Sequence, residues 1–272
     1  MKLTTSTCYA FRHGGIGKTL NAIRETGFEG VDLGLFREDD EWSTNPQGFL
    51  NTVRSSGLFV GQAHAPIAFM RYGQDDYNRL HLPFAEKAIA VAAETGAPCI
   101  VFHPVTCQGL SREEQKEWNL SVFQNLGDIA KRHGTKIALE NLWGVEDTPC
   151  LSPEELCDWF DTLNDTSRFT LCLDLGHFSY MGHAPGEAIR KAGKRSGVLH
   201  VHDNDGRFDQ HLMPFFGTTD WTEAMKALRE VEYAGNLNFE VVPLNKHVPD
   251  EAFAAGLRFL NDIGKTLLCI KA

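Results

Sequence analysis

In six successive stretches of this 272-residue chain, an apolar run ends at or near a histidine or a carboxylate. His64 stands at the end of GQAHAP, His103 of CIVFHP, Glu140 of KIALEN, and Asp174 with His177 of LCLDLGH. His200 and His202 end VLHVHDN, and Glu240 lies within LNFEVV. Imidazole and carboxylate are the donors that divalent ions take from proteins. Glu140 and Glu240 stand among apolar residues, where an unpaired carboxylate is costly. A shared cation relieves that cost and lets several carboxylates sit together without mutual repulsion. A lone histidine at a strand end is usually a hydrogen-bonded core residue, and a lone acid there is usually the N-cap of the next helix. Neither explains six runs behaving alike, so the pattern predicts a divalent-metal centre. The loop that follows extends it. Alternation puts His200 and His202 on one side of their strand. Asp209 and His211 could then fold back over the mouth as a further ligand pair, the competing reading being a polar loop with a solvated aspartate.

Residues this far apart need a scaffold that gathers strand ends. The β-rich runs are Leu3–Phe11, Gly30–Phe36, Leu58–His64, Cys99–His103, Lys136–Asn141, Phe169–Asp174, Gly197–His202 and Asn236–Val242. Amphipathic stretches alternate with them: Lys18–Thr26, Gln47–Ser55, Tyr77–Thr95, Arg112–Arg132, Pro153–Leu163, Pro185–Lys191, Thr222–Val231 and Asp250–Thr266. Ser152-Pro153 before Glu154-Glu155 supplies an N-cap, a first-turn proline and acids at the positive helix end. Eight strand–helix units in 272 residues match a single (β/α)₈ TIM-barrel domain spanning residues 1–272. A doubly wound open sheet also alternates strands and helices. The barrel is favoured because ligands at the C-terminal ends of strands three to eight would line one arc of its mouth.

Composition narrows the setting. With 42% hydrophobic and 23% charged residues the chain reads as soluble and globular. No apolar run approaches the roughly 18 residues of a membrane span. MKLTTSTCYAF lacks the apolar core of a signal peptide. Seven cysteines without a Cys-x-x-Cys pair suggest free thiols in a reducing compartment, hence the cytoplasm. A net charge of −10 disfavours nucleic-acid and anionic-membrane partners.

From GFEGVDLGLF through AHAPIA, FHPV, ALEN and LDLGH to HVHDNDGRFDQHL and FEVV, the chain resembles the xylose-isomerase-like sugar phosphate isomerase/epimerase superfamily, which shares its barrel with endonuclease IV. In the family's sugar epimerases a Glu, an Asp, a His and a second Glu hold one divalent metal. The resemblance puts these roles on Glu140, Asp174, His200 and Glu240. It makes His177 a substrate contact, with Arg207 as a second candidate. Endonuclease IV holds three zinc ions with additional ligands, and its positions fall on His64, His103, His177, Asp209 and His211. His202 joins this set of further metal or substrate candidates. The chain departs from the family where a Gly-Glu-Gly stretch is common, reading Pro214-Phe215-Phe216-Gly217-Thr218-Thr219-Asp220-Trp221, which suggests an altered substrate pocket.

HGGIGKT, at 13–19, looks like the end of a phosphate-binding loop. The full pattern wants glycine where Arg12 stands, and its variant wants lysine where His13 stands. A nucleotide site would also leave the other ligand-bearing strand ends unexplained. The glycines fit better with backbone amides approaching a substrate's phosphate or hydroxyls.

Strands five and eight lie three steps apart in an eight-stranded ring, so Glu140 and Glu240 should face each other across the mouth. The chemistry expected is proton removal by one glutamate next to a metal-polarised carbonyl and proton return by the other. A small sugar, sugar phosphate or keto-sugar is the expected substrate, with epimerisation, isomerisation or elimination as outcomes. Three carboxylates and one imidazole suit Mn²⁺, Mg²⁺ or Co²⁺, whereas a His-richer cluster would favour Zn²⁺; Mn²⁺ is the expected ion. The rival is a phosphodiesterase acting on damaged DNA. Against it stand the acidic segments Arg37-Glu38-Asp39-Asp40-Glu41 and Gln74-Asp75-Asp76, poor partners for a duplex backbone. A sugar-binding barrel without chemistry is the third reading. Homo-oligomerisation is compatible with the sequence but not specified by it.

Overall fold

The structure, a computed structural model, describes residues 1–8, 14–67, 74–107, 109–144, 148–241 and 248–271. Its strands are β1 (Leu3–Ser6), β2 (Gly30–Gly34), β3 (Phe59–His64), β4 (Cys99–Phe102), β5 (Lys136–Glu140), β6 (Phe169–Asp174), β7 (Ser196–His200) and β8 (Leu237–Phe239). They pair in parallel in the order β7-β6-β5-β4-β3-β2-β1-β8. The ring is completed where Val201 N–H donates to Asn238 O (2.8 Å) and Glu240 N–H to Val201 O (3.2 Å). This is a (β/α)₈ barrel, and the open doubly wound sheet is excluded.

The helices are α1 (Ile16–Glu25), α2 (Glu41–Thr44), α3 (Pro46–Ser55), α4 (Gln74–Asp76), α5 (Leu82–Glu94), α6 (Arg112–His133), α7 (Pro153–Leu163), α8 (Leu175–Tyr180), α9 (Pro185–Ala192), α10 (Trp221–Glu230) and α11 (Asp250–Cys269). Ser152 accepts the Glu155 N–H (3.2 Å) at the start of α7, as its sequence predicts. Among the described residues no helix is long and apolar enough to cross a membrane.

β2 and β7 stop two residues short of expectation, at Gly34 and His200, helices α2 and α8 are not expected from the sequence, and three other elements depart further. The first strand, expected over Leu3–Phe11, ends at Ser6, and residues 9–11 lie outside the described residues. The last, expected over Asn236–Val242, pairs only over Leu237–Phe239, and residue 242 lies outside as well. The helix expected over Tyr77–Thr95 is broken into α4, a π-helical turn (Tyr77–His81) and α5. Pro83, in the first turn of α5, cannot donate an N–H, and the preceding ladder widens there.

Alternation sorts the strand side chains. Val31, Leu33, Ile100, Phe102, Ile137, Leu139, Leu171 and Leu173 join the large core between barrel and helices. Cys99, Val101, Ala138, Cys172 and Val198 form a second, small cluster. On the same strand faces, one step toward the C-terminal ends, stand Glu140, Asp174 and His200, each fully buried. Strand register pairs Asp174 with His200, and Glu140 with Cys172 of the small cluster.

Candidate metal centre and active site

The donor atoms of Glu140, Asp174, His200 and Glu240 lie within 4.8 Å of one another. His200 Nδ1 is the focus: Glu140 Oε1 stands 2.7 Å away, Glu240 Oε2 3.3 Å and Asp174 Oδ2 3.7 Å. The two glutamates converge from strands three steps apart. Asp174 unites the two readings available from sequence. Its Oδ1 caps α8 by accepting the His177 N–H (2.6 Å), while Oδ2 faces the cluster and His202 Nε2 (2.9 Å). Asn141 clamps the same corner, donating to Asp174 O (2.9 Å) and accepting its N–H (2.8 Å).

Two further groups flank this one. Glu140 Oε2 meets His103 Nε2 at 2.8 Å and His64 Nε2 at 3.3 Å. On the other side His177, His202, Asp209 and His211 gather within the same 4.8 Å limit. Asp209 Oδ2 lies 3.0 Å from His211 Nε2 and 3.6 Å from His177 Nε2. The loop carrying Asp209 and His211 therefore folds back over the mouth. His202 stacks on His211 with ring centroids 3.8 Å apart. Gly176 makes room for His202, since a Cβ there would lie 2.0 Å from its ring.

Backbone carbonyls set the ring orientations. His64, His177 and His211 each present Nδ1 to a carbonyl at 2.9 Å, of Ala65, Asn141 and Glu240 respectively. A carbonyl can only accept, so Nδ1 carries the proton and Nε2 turns into the site.

The electrostatics are those of a site that expects a cation. Burial alone would lower His177 and His211. Asp174, Asp209 and Glu140 around the first, and Asp209 and Glu240 around the second, outweigh it and push them up to about 10 and about 9. Burial would raise the carboxyl of Glu140, yet His200 and His103 hold it well below the usual carboxylate range. Burial works against Asp209 as well, and His177 and His211 hold it low. Cys8, at the edge of the cavity, is pushed up to about 12 by burial and by Glu240. Among the described residues, His202 Nδ1 and Asp209 Oδ1 are buried without a hydrogen bond. Buried oxygen and imidazole donors with unmet capacity fit a divalent ion.

A cavity of about 300 Å³ opens over these groups, with Phe36, Ile67 and Trp143 among its apolar walls. Trp143 meets His177 edge-on, centroids 6.3 Å apart. Arg207 departs from expectation. It is exposed and not among the residues lining the cavity, because Asp205 accepts its N–H (2.9 Å) in a turn that runs outward. Residues 12 and 13 of the phosphate-loop-like stretch lie outside the described residues, but Gly15 at the start of α1 does not. A Cβ on Gly15 would lie 2.9 Å from Glu41 Oε1, so a carboxylate of the chain itself already rests against this helix end. Arg37 of the acidic segment is held by both oxygens of Asp39 (2.8 and 2.6 Å). Trp143, Asp203 and Asp32 are not among the candidate site residues that the sequence motifs mark. Asp32 carries the signal that marked Glu140, an acid inside an apolar strand.

A family model described as xylose isomerase-like TIM barrel matches residues 20–263. The uncharacterized protein y4fM of Sinorhizobium fredii is 27% identical over 277 residues, covering 88% of this chain and 84% of that protein. Inosose isomerase of Bacillus subtilis is 28% identical over 144 residues, 50% of this chain and 51% of that one. A probable endonuclease 4 of Acholeplasma laidlawii is 27% identical over 121 residues, 44% of this chain and 41% of that one. Among solved structures, a D-tagatose 3-epimerase-like protein aligns with TM-score 0.81 at 21% identity, over 98% of both chains. The IOLI protein with a bound zinc atom aligns with TM-score 0.82 at 21% identity, over 98% of this chain and 99% of that one.

Proposed function

Because the chain belongs to the xylose isomerase-like TIM barrel family, we propose that it is a divalent-metal-dependent isomerase or epimerase of a sugar or keto-sugar. The observation that carries this reading is the convergence of Glu140, Asp174, His200 and Glu240 within 4.8 Å under a cavity of sugar size. These four would hold the ion, which when bound polarises a substrate carbonyl. Three carboxylates and one imidazole suit Mn²⁺.

Glu140 or Glu240 removes the proton next to the carbonyl, leaving an enediolate. The other glutamate enters the step as the carboxylic acid and returns its proton: to the opposite face of the same carbon for an epimer, or to the neighbouring carbon for an isomer. For the isomer the hydroxyl proton also passes between the two oxygens. Exchange with solvent then resets the two carboxyl groups. Asp174 and His200 hold rather than transfer. His177, between the ligand group and Trp143, contacts the substrate, and Trp143 gives its ring an apolar wall. Glu41 against Gly15 supports a substrate without a phosphate at that helix end.

The test is proton exchange. Mn²⁺-loaded protein incubated with a panel of ketoses and keto-sugars in deuterated water should place deuterium at one C–H position, and absence of exchange across the panel would overturn the reading.

A second reading has its own observation. The His177–His202–Asp209–His211 group, with His64 and His103 opposite, offers room for more than one ion, as a metal-dependent phosphodiesterase would use. Cleavage of an abasic-site duplex by the wild type, lost in Glu240→Gln, would put this reading first.

A further inference from the structure

Asp32 is a carboxylate outside the ligand group, fully buried at the middle of β2. Its neighbours Val31 and Leu33 pack outward in the large core, so its side chain points into the barrel. Gln62 Nε2 (3.3 Å) and Asn238 Nδ2 (3.0 Å) both donate to its Oδ2, and Asn238 Oδ1 accepts the Thr4 hydroxyl (2.9 Å). Among the described residues, Oδ1 of Asp32 has no hydrogen-bond partner. Two neutral amides are thin compensation for burying a charge.

What faces this carboxylate is His200. Its Nε2 lies 3.5 Å from Asp32 Oδ2 and has no closer hydrogen-bond partner. Its Nδ1 turns the other way, toward Glu140, Glu240 and Asp174. His200 is thus reversed relative to His64, His177 and His211, which turn Nε2 inward and give Nδ1–H to a carbonyl. Among the described residues no backbone carbonyl accepts from Nε2 of His200, and the group that faces it is the Asp32 carboxylate at 3.5 Å.

We propose that Asp32 is a positioning residue that takes the Nε2–H of His200 and so fixes the ring with its Nδ1 lone pair facing the three carboxylates, ready to ligate a divalent cation. Gln62, Asn238 and His200 all face Oδ2. An amide could turn its one oxygen to that place, but it would lack the negative charge that makes the carboxylate the stronger acceptor. A carboxylate behind the imidazole also makes it a better donor to a cation than a carbonyl would. The proposal rests on the metal-centre part of the function proposed above, not on the sugar chemistry.

The experiment titrates Co²⁺ into the chelator-stripped full chain, wild type and variants, by calorimetry and by visible absorption. Asp32→Ala is expected to weaken Co²⁺ binding by about 10- to 100-fold, as loss of an outer partner of a ligating histidine typically does. Asp32→Asn, which keeps shape and volume, guards against simple misfolding and should show a smaller loss in the same direction. Both should alter the cobalt absorption bands, which report ligand geometry and which a general loss of stability would not move. In a His200→Ala background, Asp32→Ala should cost nothing further in affinity, since it acts through that ring. The proposal is overturned if both Asp32 variants bind Co²⁺ within about twofold of wild type with unchanged bands, against the range expected above. Full additivity with His200→Ala also overturns it. A wild type that binds no Co²⁺ overturns it together with the metal centre. A wild type that binds Co²⁺ but exchanges no sugar proton overturns only the sugar chemistry.

Discussion

Replacing Asp203 with alanine tests whether the loop over the cavity hangs from one buried carboxylate. Asp203 is fully buried just beyond β7. Its Oδ2 accepts from Phe215 N (3.1 Å), Gly217 N (3.1 Å) and Trp221 Nε1 (2.9 Å), and its Oδ1 from Asn204 N (2.9 Å) and Thr219 N (3.1 Å). Its backbone also exchanges hydrogen bonds with Leu212 (2.8 and 2.7 Å). Five bonds to a charged acceptor at ~1.5–3 kcal/mol each would sum to well over ~7 kcal/mol, but such sums overcount. The amides of Phe215, Gly217 and Thr219 are partly buried and regain water, so ~0.5–1 kcal/mol each is reasonable, with the buried Asn204 amide at the upper end of that range. The Trp221 indole belongs to a residue only 2% exposed and is stranded outright, at ~1–3 kcal/mol. The expected loss is about 4 kcal/mol, or roughly 10 °C in Tm at ~2–4 °C per kcal/mol for a chain of this size. Asp203→Asn should cost nearly as much, because whichever oxygen becomes NH₂ then faces at least two donors. Urea denaturation of chelator-stripped protein measures the energy. Co²⁺ stoichiometry measures whether Asp209 and His211, carried by the same loop, stay in place. A loss under ~1 kcal/mol for Asp203→Ala would show that water replaces the carboxylate and would refute this account of the loop.

Glu140→Gln and Glu240→Gln should each lower turnover by at least about 10²-fold, the usual cost of losing a general base, while reducing metal content less than Asp174→Ala or His200→Ala. Near-normal turnover with full metal occupancy would end the two-glutamate mechanism. His177→Ala should raise KM more than it lowers metal content, whereas release of an ion would mark a multinuclear site. Gly176→Ala should drive the His202 ring off Asp174 and His211, at about 1–3 kcal/mol of stability, and a melting curve matching wild type would show that the loop yields instead. In the metal-free protein His177 and His211 are raised to about 10 and about 9, against burial, by Asp174 and Asp209 and by Asp209 and Glu240 respectively. Raised bases contribute stability that is full below about pH 6.5 and is lost as pH rises through 9 and then 10. Thermal melts of stripped protein should therefore fall in Tm across that window. The drop should shrink when both histidines are replaced by glutamine, and a flat wild-type profile would contradict the paired-imidazolium picture.

Much of the site was legible in the residue order because its signals are local. Each apolar run that meets a histidine or acid is readable within a few residues, and period-2 alternation places His200 and His202 on one face without knowledge of any other strand. The barrel follows from the same kind of signal repeated eight times, and its C-terminal mouth from where the polar residues fall in each run. Other facts needed residues that only the closed ring brings together. Asp32 reads in sequence as one acid in a strand; its meaning comes from His200, Gln62 and Asn238, which are remote in the chain. Asp203 looks like a solvated loop acid until the chain returns to place three amides and an indole around it. The direction in which each imidazole faces was likewise undecided by sequence, because it depends on which carbonyl or carboxylate the tertiary fold sets behind the ring. Arg207 shows the converse, a residue whose motif position suggested the pocket but whose local turn carries it to solvent. Periodicity specifies which face a side chain takes. Which partner waits there depends on strand register and ring closure, and no local run of residues encodes either.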